Sequence, residues 1–202
     1  MNNRRILSLS LIVATLFFAG CGSSPNAKIY ILDAMDRDSS MSAAIQEAQN
    51  IVVKVGPVSI SDVLDQSRIV SRSGDNRLII AEFHRWGGDF QSNVQRVIGE
   101  NISILLPTDQ VTLGQEIVLQ PIDYQVLVYI REFDGTLGGM VTLNADWTVA
   151  SKSKDKSIFT RKSVFQEKVD GAGYDAYVAA QSQLLEKLSQ EITAEIKKQL
   201  IK

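Results

Sequence analysis

One cysteine, one histidine and four prolines are all that 202 residues hold of three types on which much structural and catalytic chemistry rests. With Cys21 alone, no disulfide can form within the chain, and because its position at the end of an N-terminal leader marks that cysteine for lipidation, His84 is left without a thiol for a Cys-His nucleophile pair or the usual zinc shell of Cys and His. A Ser-His-Asp triad would have to use His84, which sits beside Arg85 and Trp86, yet no Gly-x-Ser-x-Gly elbow supplies the serine. An excess of positive charge is also missing: Lys and Arg number 21 against 23 Asp and Glu. The densest basic run, Lys152 to Lys156, is broken by Ser153 and Asp155 and reads as a solvated turn, so nucleic acid is not an expected partner. Asp33, Asp36 and Asp38 suggest a calcium loop, but its sixth and twelfth places hold Asp38 and Ala44 where Gly and Glu are required. Gly135 and Gly138-Gly139 lie between strands, so no helix N-terminus follows them to bind a phosphate, and turn glycines suffice as their explanation. No cofactor, metal or catalytic set is expected.

What is present begins at the N-terminus. Arg4 and Arg5 precede an apolar stretch from Ile6 to Phe18, and Ala19-Gly20-Cys21 follows as a small-residue cleavage site. The stretch falls short of the roughly 20 apolar residues that cross a bilayer, so it reads as a cleaved leader, with Phe18 where a lipobox usually has Leu. The expectation is a lipoprotein signal peptide over residues 1–20, a lipidated tether over 21–27 and one domain over 28–202. Lipidation of Cys21 would add a diacylglyceryl thioether and an N-acyl chain, palmitate-type, and at about 0.8 kcal/mol per buried methylene three chains hold far more firmly than one. Without Arg4 and Arg5 the basic residues fall from 21 to 19 against 23 acidic, a charge near −4. Gly22 to Asn26 form a polar tether that lifts the domain about 10 to 15 Å off the headgroups.

Along the mature chain, Lys28 to Leu32 reads as a strand and Asp33 to Ser42 as a loop; Ala43 to Asn50 reads as a short helical turn. Ile51 to Val55 is a β-branched run stopped by Gly56-Pro57, after which Val58 to Ile60 stays extended and Ser61-Asp62 caps one turn at Val63-Leu64. Arg68 to Ser71 and Leu78 to Phe83 form a hairpin around Ser73-Gly74-Asp75-Asn76. Trp86, Phe90, Val94, Val97, Ile98, Ile102 and Leu105 recur at helical spacing, which predicts a helix opened by Trp86 and ending before Pro107. Strict alternation at Tyr124 to Ile130, Val141 to Val149 and Ile158 to Lys168 predicts a three-strand antiparallel meander, with Asp134-Gly135 and Lys152 to Lys156 as turns. Tyr174, Tyr177, Val178, Gln181, Leu184, Leu185, Leu188, Ile192, Ile196 and Leu200 stripe one face of a long helix, for core or contact. The fold expected is α/β: a single domain with a mixed, largely antiparallel central sheet packed by a mid-chain helix and a long C-terminal helix. Trp86 is either a core anchor or, with Arg85, a subunit or partner contact.

Three segments resemble a known family. Tyr30-Ile31-Leu32 soon after Cys21, Val53-Lys54-Val55-Gly56-Pro57-Val58 leading to Leu64-Asp65-Gln66-Ser67-Arg68-Ile69-Val70, and Glu82-Phe83-His84-Arg85-Trp86 are similar, in this order, to the auxiliary lipoproteins of ABC-type transport systems, the PqiC/YmbA-like proteins. Ser61, Gln66-Ser67 and Gly87-Gly88 depart from the family pattern. The resemblance implies a non-enzymatic α/β lipoprotein on the periplasmic face of the outer membrane, a placement that Gly22 in place of Asp after the Cys also favours. It further implies a homo-oligomeric ring docked on a protein with mammalian-cell-entry (MCE) domains, within a system that moves phospholipids between membranes. A lipoprotein that scaffolds cell-wall or envelope-assembly proteins is the alternative.

Overall fold

The structure, a computed structural model, describes residues 25–36, 51–74, 76–114, 120–152 and 158–201. Its elements in chain order are β1 (Lys28–Tyr30), β2 (Val53–Ile60), β3 (Arg68–Arg72), β4 (Leu78–Trp86), α1 (Phe90–Leu105), β5 (Val111–Leu113), β6 (Tyr124–Gly135), β7 (Met140–Ser151), β8 (Ile158–Lys168) and α2 (Tyr174–Leu200). The expected leader, Cys21, the helical turn expected over Ala43 to Asn50 and, past Lys152, the turn expected over Lys152 to Lys156 lie outside the described residues.

Alternation builds the larger sheet. Successive side chains of a strand point to opposite faces, and β6 buries Tyr124, Val126, Val128 and Ile130 while β7 buries Val141, Leu143, Ala145, Trp147 and Val149 on the same side. Pairing of β6 with β7 and of β7 with β8 is antiparallel throughout, which is the expected meander. On its other edge β6 pairs in parallel with β2, and β2 with β5, giving the order β5-β2-β6-β7-β8. The second sheet has the order β1-β4-β3, with β3 and β4 as the expected antiparallel hairpin and β1 parallel to β4. Both parallel and antiparallel pairs are present, and the two long antiparallel pairs dominate.

Both helices cover one face of the larger sheet. The carboxylate of Asp89 accepts from the Ser92 amide at 2.7 Å, filling one of the donors a helix start leaves open, and α1 then buries Phe90, Val94, Val97, Ile98, Ile102 and Leu105. The stripe of α2 is core: Tyr177, Val178, Gln181, Leu184, Leu185, Leu188, Ile192 and Ile196 are all buried, while at its two ends Tyr174 is half-buried and Leu200 emerges. Asp175 at its start and Lys197 and Lys198 at its end match the helix dipole. Across the opposite face of the sheet run Ser59, Tyr129, Asp146 and Lys162, in register on four strands.

Four expectations need correction. Gly56-Pro57 does not stop β2: Val55 pairs with Val126 and Val58 with Val128, so the strand takes one extra residue as a bulge, which Gly56 accommodates at φ 128°. Asp134 and Gly135 are not a turn but the end of β6, and the turn is Thr136–Gly139. A Cβ on Gly135 would lie 2.0 Å from the Met140 carbonyl oxygen, so this glycine is required by the close approach of β7. Trp86 ends β4 and does not open α1; the helical spacing continues through it because a strand end and the next helix face one core. Finally, β5 had no expected counterpart.

Candidate docking surface

The strand nearest the N-terminal tether is held from several sides. Tyr30 and Leu32 are buried, and the Tyr30 hydroxyl shares a 2.8 Å hydrogen bond with His84 Nδ1. The His84 ring stacks on Tyr174 at 3.8 Å, which ties β4 to the start of α2. Desolvation, then Lys28, push the His84 pKa below its ordinary value, against a smaller opposing pull from Asp175. Desolvation, then Asp175, raise that of Tyr30. The Gly87 amide donates to the Tyr30 carbonyl at 2.7 Å, and Arg96 donates to the Leu32 carbonyl at 2.6 Å. Beyond the strand, the Asp33 amide donates to Ser182 Oγ at 3.1 Å and the Met35 amide to the buried Asn101 Oδ1 at 2.8 Å. The segment is thus clamped to β4, α1 and α2.

Its outward side is apolar and basic. Ile29 is 62% exposed and Ile31 55% exposed, and both close over Gly87, where a Cβ would meet their Cγ2 atoms at 3.1 and 2.9 Å. Ile29 lies in register with Arg85 on β4, and Arg85 with Arg68 on β3. Arg72, Arg96, Arg131 and Arg161 each pair with a carboxylate, whereas among the described residues neither Arg68 nor Arg85 does. Beside Ile31 and Gly87 a shallow groove of about 330 Å³ runs along Gly88, Asp89, Ser92, Asn93 and Arg96.

A wider polar cleft of about 530 Å³ lies under Asp33 to Asp36, against Arg96 and Glu100 of α1 and Ser182 and Glu186 of α2. Arg96, the cation among its described lining residues, is spent on Glu100 at 2.8 Å, Asn93 at 2.9 Å and the Leu32 carbonyl. Asp38 of the suspected calcium loop lies outside the described residues, and among those described no three metal-binding side chains gather.

The expected contact pair divides. Trp86 is 5% exposed and stacks on Phe90 at 4.5 Å, in the core, while Arg85 is exposed. Ile29, Ile31 and Arg68 were not singled out by sequence, because Lys28 to Leu32 reads as one apolar run and gives no hint of which alternate residues remain uncovered.

A model of the family described as the ABC-type transport auxiliary lipoprotein component matches residues 30–193. Among solved structures, one of an uncharacterized protein has 19% identity and a TM-score of 0.69, covering 85% of this chain and 99% of its own. Protein XCC0632 from Xanthomonas campestris has 15% identity and a TM-score of 0.63, covering 82% of this chain and 92% of its own. At such identities these two likenesses establish the fold alone. No curated protein matches the chain.

Proposed function

The chain belongs to the family of ABC-type transport auxiliary lipoprotein components, and from that premise we propose that it is a lipid-anchored, non-enzymatic subunit of a trans-envelope lipid transporter. Acylated Cys21 holds the domain to the periplasmic face of the outer membrane, after removal of residues 1–20. A homo-oligomeric ring of domains spanning 28–202 receives the end of a conduit formed by a protein with MCE domains and fixes it at that bilayer. The observation that carries this reading is the family match across residues 30–193, supported by the lipobox-type Ala19-Gly20-Cys21 that follows the apolar stretch from Ile6 to Phe18.

The chemistry of the described surface agrees with a mechanical role. Arg96, the basic residue among the described ones that line the polar cleft, is committed to structural hydrogen bonds. His84 is engaged by Tyr30 and stacked on Tyr174, so its ring serves to join β1, β4 and the start of α2. Of the two contact residues, Trp86 acts from the core by fixing the end of β4, and Arg85 is the one a partner can reach.

Deletion of the gene tests the reading. Outer-membrane permeability should rise and lipid asymmetry should be lost, with restoration by the wild-type chain but not by Cys21→Ser. An unchanged barrier after deletion would favour the scaffold role in cell-wall assembly.

A further inference from the structure

We infer that the outward side of β1 and its neighbours, Ile29 and Ile31 with Arg85 and Arg68, is the face that seats the domain on the surface of an anionic phospholipid bilayer. This rests on the reading of Cys21 as the acylated anchor.

Three observations converge on that occupant. The first is reach: seven peptide steps separate Cys21 from Lys28, at most about 25 Å of fully extended chain, so β1 is held near the bilayer whatever path the tether takes. The second is charge. A domain whose mature sequence is net acidic leaves two guanidinium groups in register on adjacent strands without carboxylate partners among the described residues, while four other arginines are paired. Phosphodiester headgroups supply the missing anions, and guanidinium groups bind them through their planar fork of donors. The third is apolarity at the same place. Ile29, in register with Arg85, is 62% exposed, and Ile31 beyond it is 55% exposed. Apolar side chains flanked by arginines match the depth at which peripheral proteins lie, with aliphatic groups in the acyl boundary and cations among the phosphates. The carboxylate of Asp89 beside this face is occupied by the Ser92 amide.

The face would do more than add hold. An acyl tether alone permits the domain to tumble, whereas a seated face fixes the angle at which the opposite side of the molecule meets the periplasm.

The test uses the mature lipidated protein in vesicles, with Cys21 blocked by its own thioether so that one new cysteine can be labelled. An environment-sensitive fluorophore at Ile31→Cys is compared with one at Val164→Cys on β8, in vesicles of phosphatidylethanolamine with phosphatidylglycerol carrying a nitroxide quencher near the headgroup. The inference predicts strong quenching at position 31 and little at 164. Arg68→Gln with Arg85→Gln should shift the balance from seated to free by about 25-fold, at roughly fivefold per charge near an anionic surface. Equal quenching at the two positions, or quenching at 31 that survives both Gln substitutions and phosphatidylcholine-only vesicles, would overturn it. Mass spectrometry of the N-terminal peptide separates this from failure of the anchor: an unacylated Cys21 sinks the parent reading, and an acylated Cys21 with no quenching sinks only this one.

Discussion

Replacing Tyr177 by Phe removes one oxygen atom from a fully enclosed ring and should be among the costliest conservative changes in the molecule. The Tyr177 hydroxyl accepts from the Gly135 amide at 3.0 Å and donates to the Val70 carbonyl at 3.0 Å, so one side chain of α2 joins the end of β6 to β3. Burial, then Asp134, push its pKa well above that of ordinary tyrosine, so the hydroxyl stays protonated at neutral pH and can donate one bond while accepting the other. Phe fills the same space and leaves no cavity, which confines the cost to polar groups. A buried amide stranded without an acceptor costs about 1 to 3 kcal/mol, and loss of the second bond about 1 more, so the expected destabilisation is about 2 to 4 kcal/mol. For a domain of this size that lowers the melting temperature by about 5 to 15 °C. Tyr174→Phe is the control: its ring stacks on His84, but its hydroxyl has no described partner, so the change should stay within about 0.5 kcal/mol. Thermal unfolding followed by circular dichroism reads both. A loss under about 0.5 kcal/mol for Tyr177→Phe, or equal losses for the two variants, would show that the Tyr177 hydroxyl does not hold β3 and β6 together.

Asp134 is 3% exposed and held by Arg72 through Nε at 2.5 Å and a second guanidinium nitrogen at 3.1 Å, so Arg72→Met should cost about 3 to 5 kcal/mol by leaving a buried carboxylate unpaired. Arg72→Lys should recover only part of it in the same melting assay, since a single ammonium cannot reproduce the fork. Because the folded-state pKa of His84 lies below its unfolded value near 6.5, the unfolded chain takes up the proton first. The contribution of His84 to stability should therefore be complete above about pH 6.5 and decline as pH falls from there through the folded-state value. Denaturation at pH 8 and pH 5 should show this fall, and His84→Gln should reduce it. Cys21→Ser should move the chain from the membrane to the soluble fraction on sedimentation, with no acyl group on its N-terminal peptide.

Much of the fold is legible because its longest elements carry unambiguous periods. The alternation through β6 and β7 and the stripes of α1 and α2 name almost every buried residue there, since each element has one covered face. Where an element contributes only three residues, as at β5, no period exists to read, and its place beside β2 is set by tertiary pairing. Gly56-Pro57 and Asp134-Gly135 carry local turn chemistry, yet a bulge absorbs the first and a close backbone approach demands the second. Trp86 shows the opposite failure: its spacing fits the helix, but Gly87 and Gly88 intervene and leave it on the strand. The candidate surface was hardest of all to read. Arg85 was singled out, but its neighbours Arg68 and Ile29 come beside it only through strand register, which links positions far apart in the chain.

Affinity capture of the tagged, lipidated protein from detergent-solubilised envelopes after mild cross-linking asks whether the chain serves a lipid conduit, as proposed. A protein with MCE domains should be recovered in complex with several copies of this chain; recovery of cell-wall enzymes, or of this chain alone as a monomer, would rule that role out.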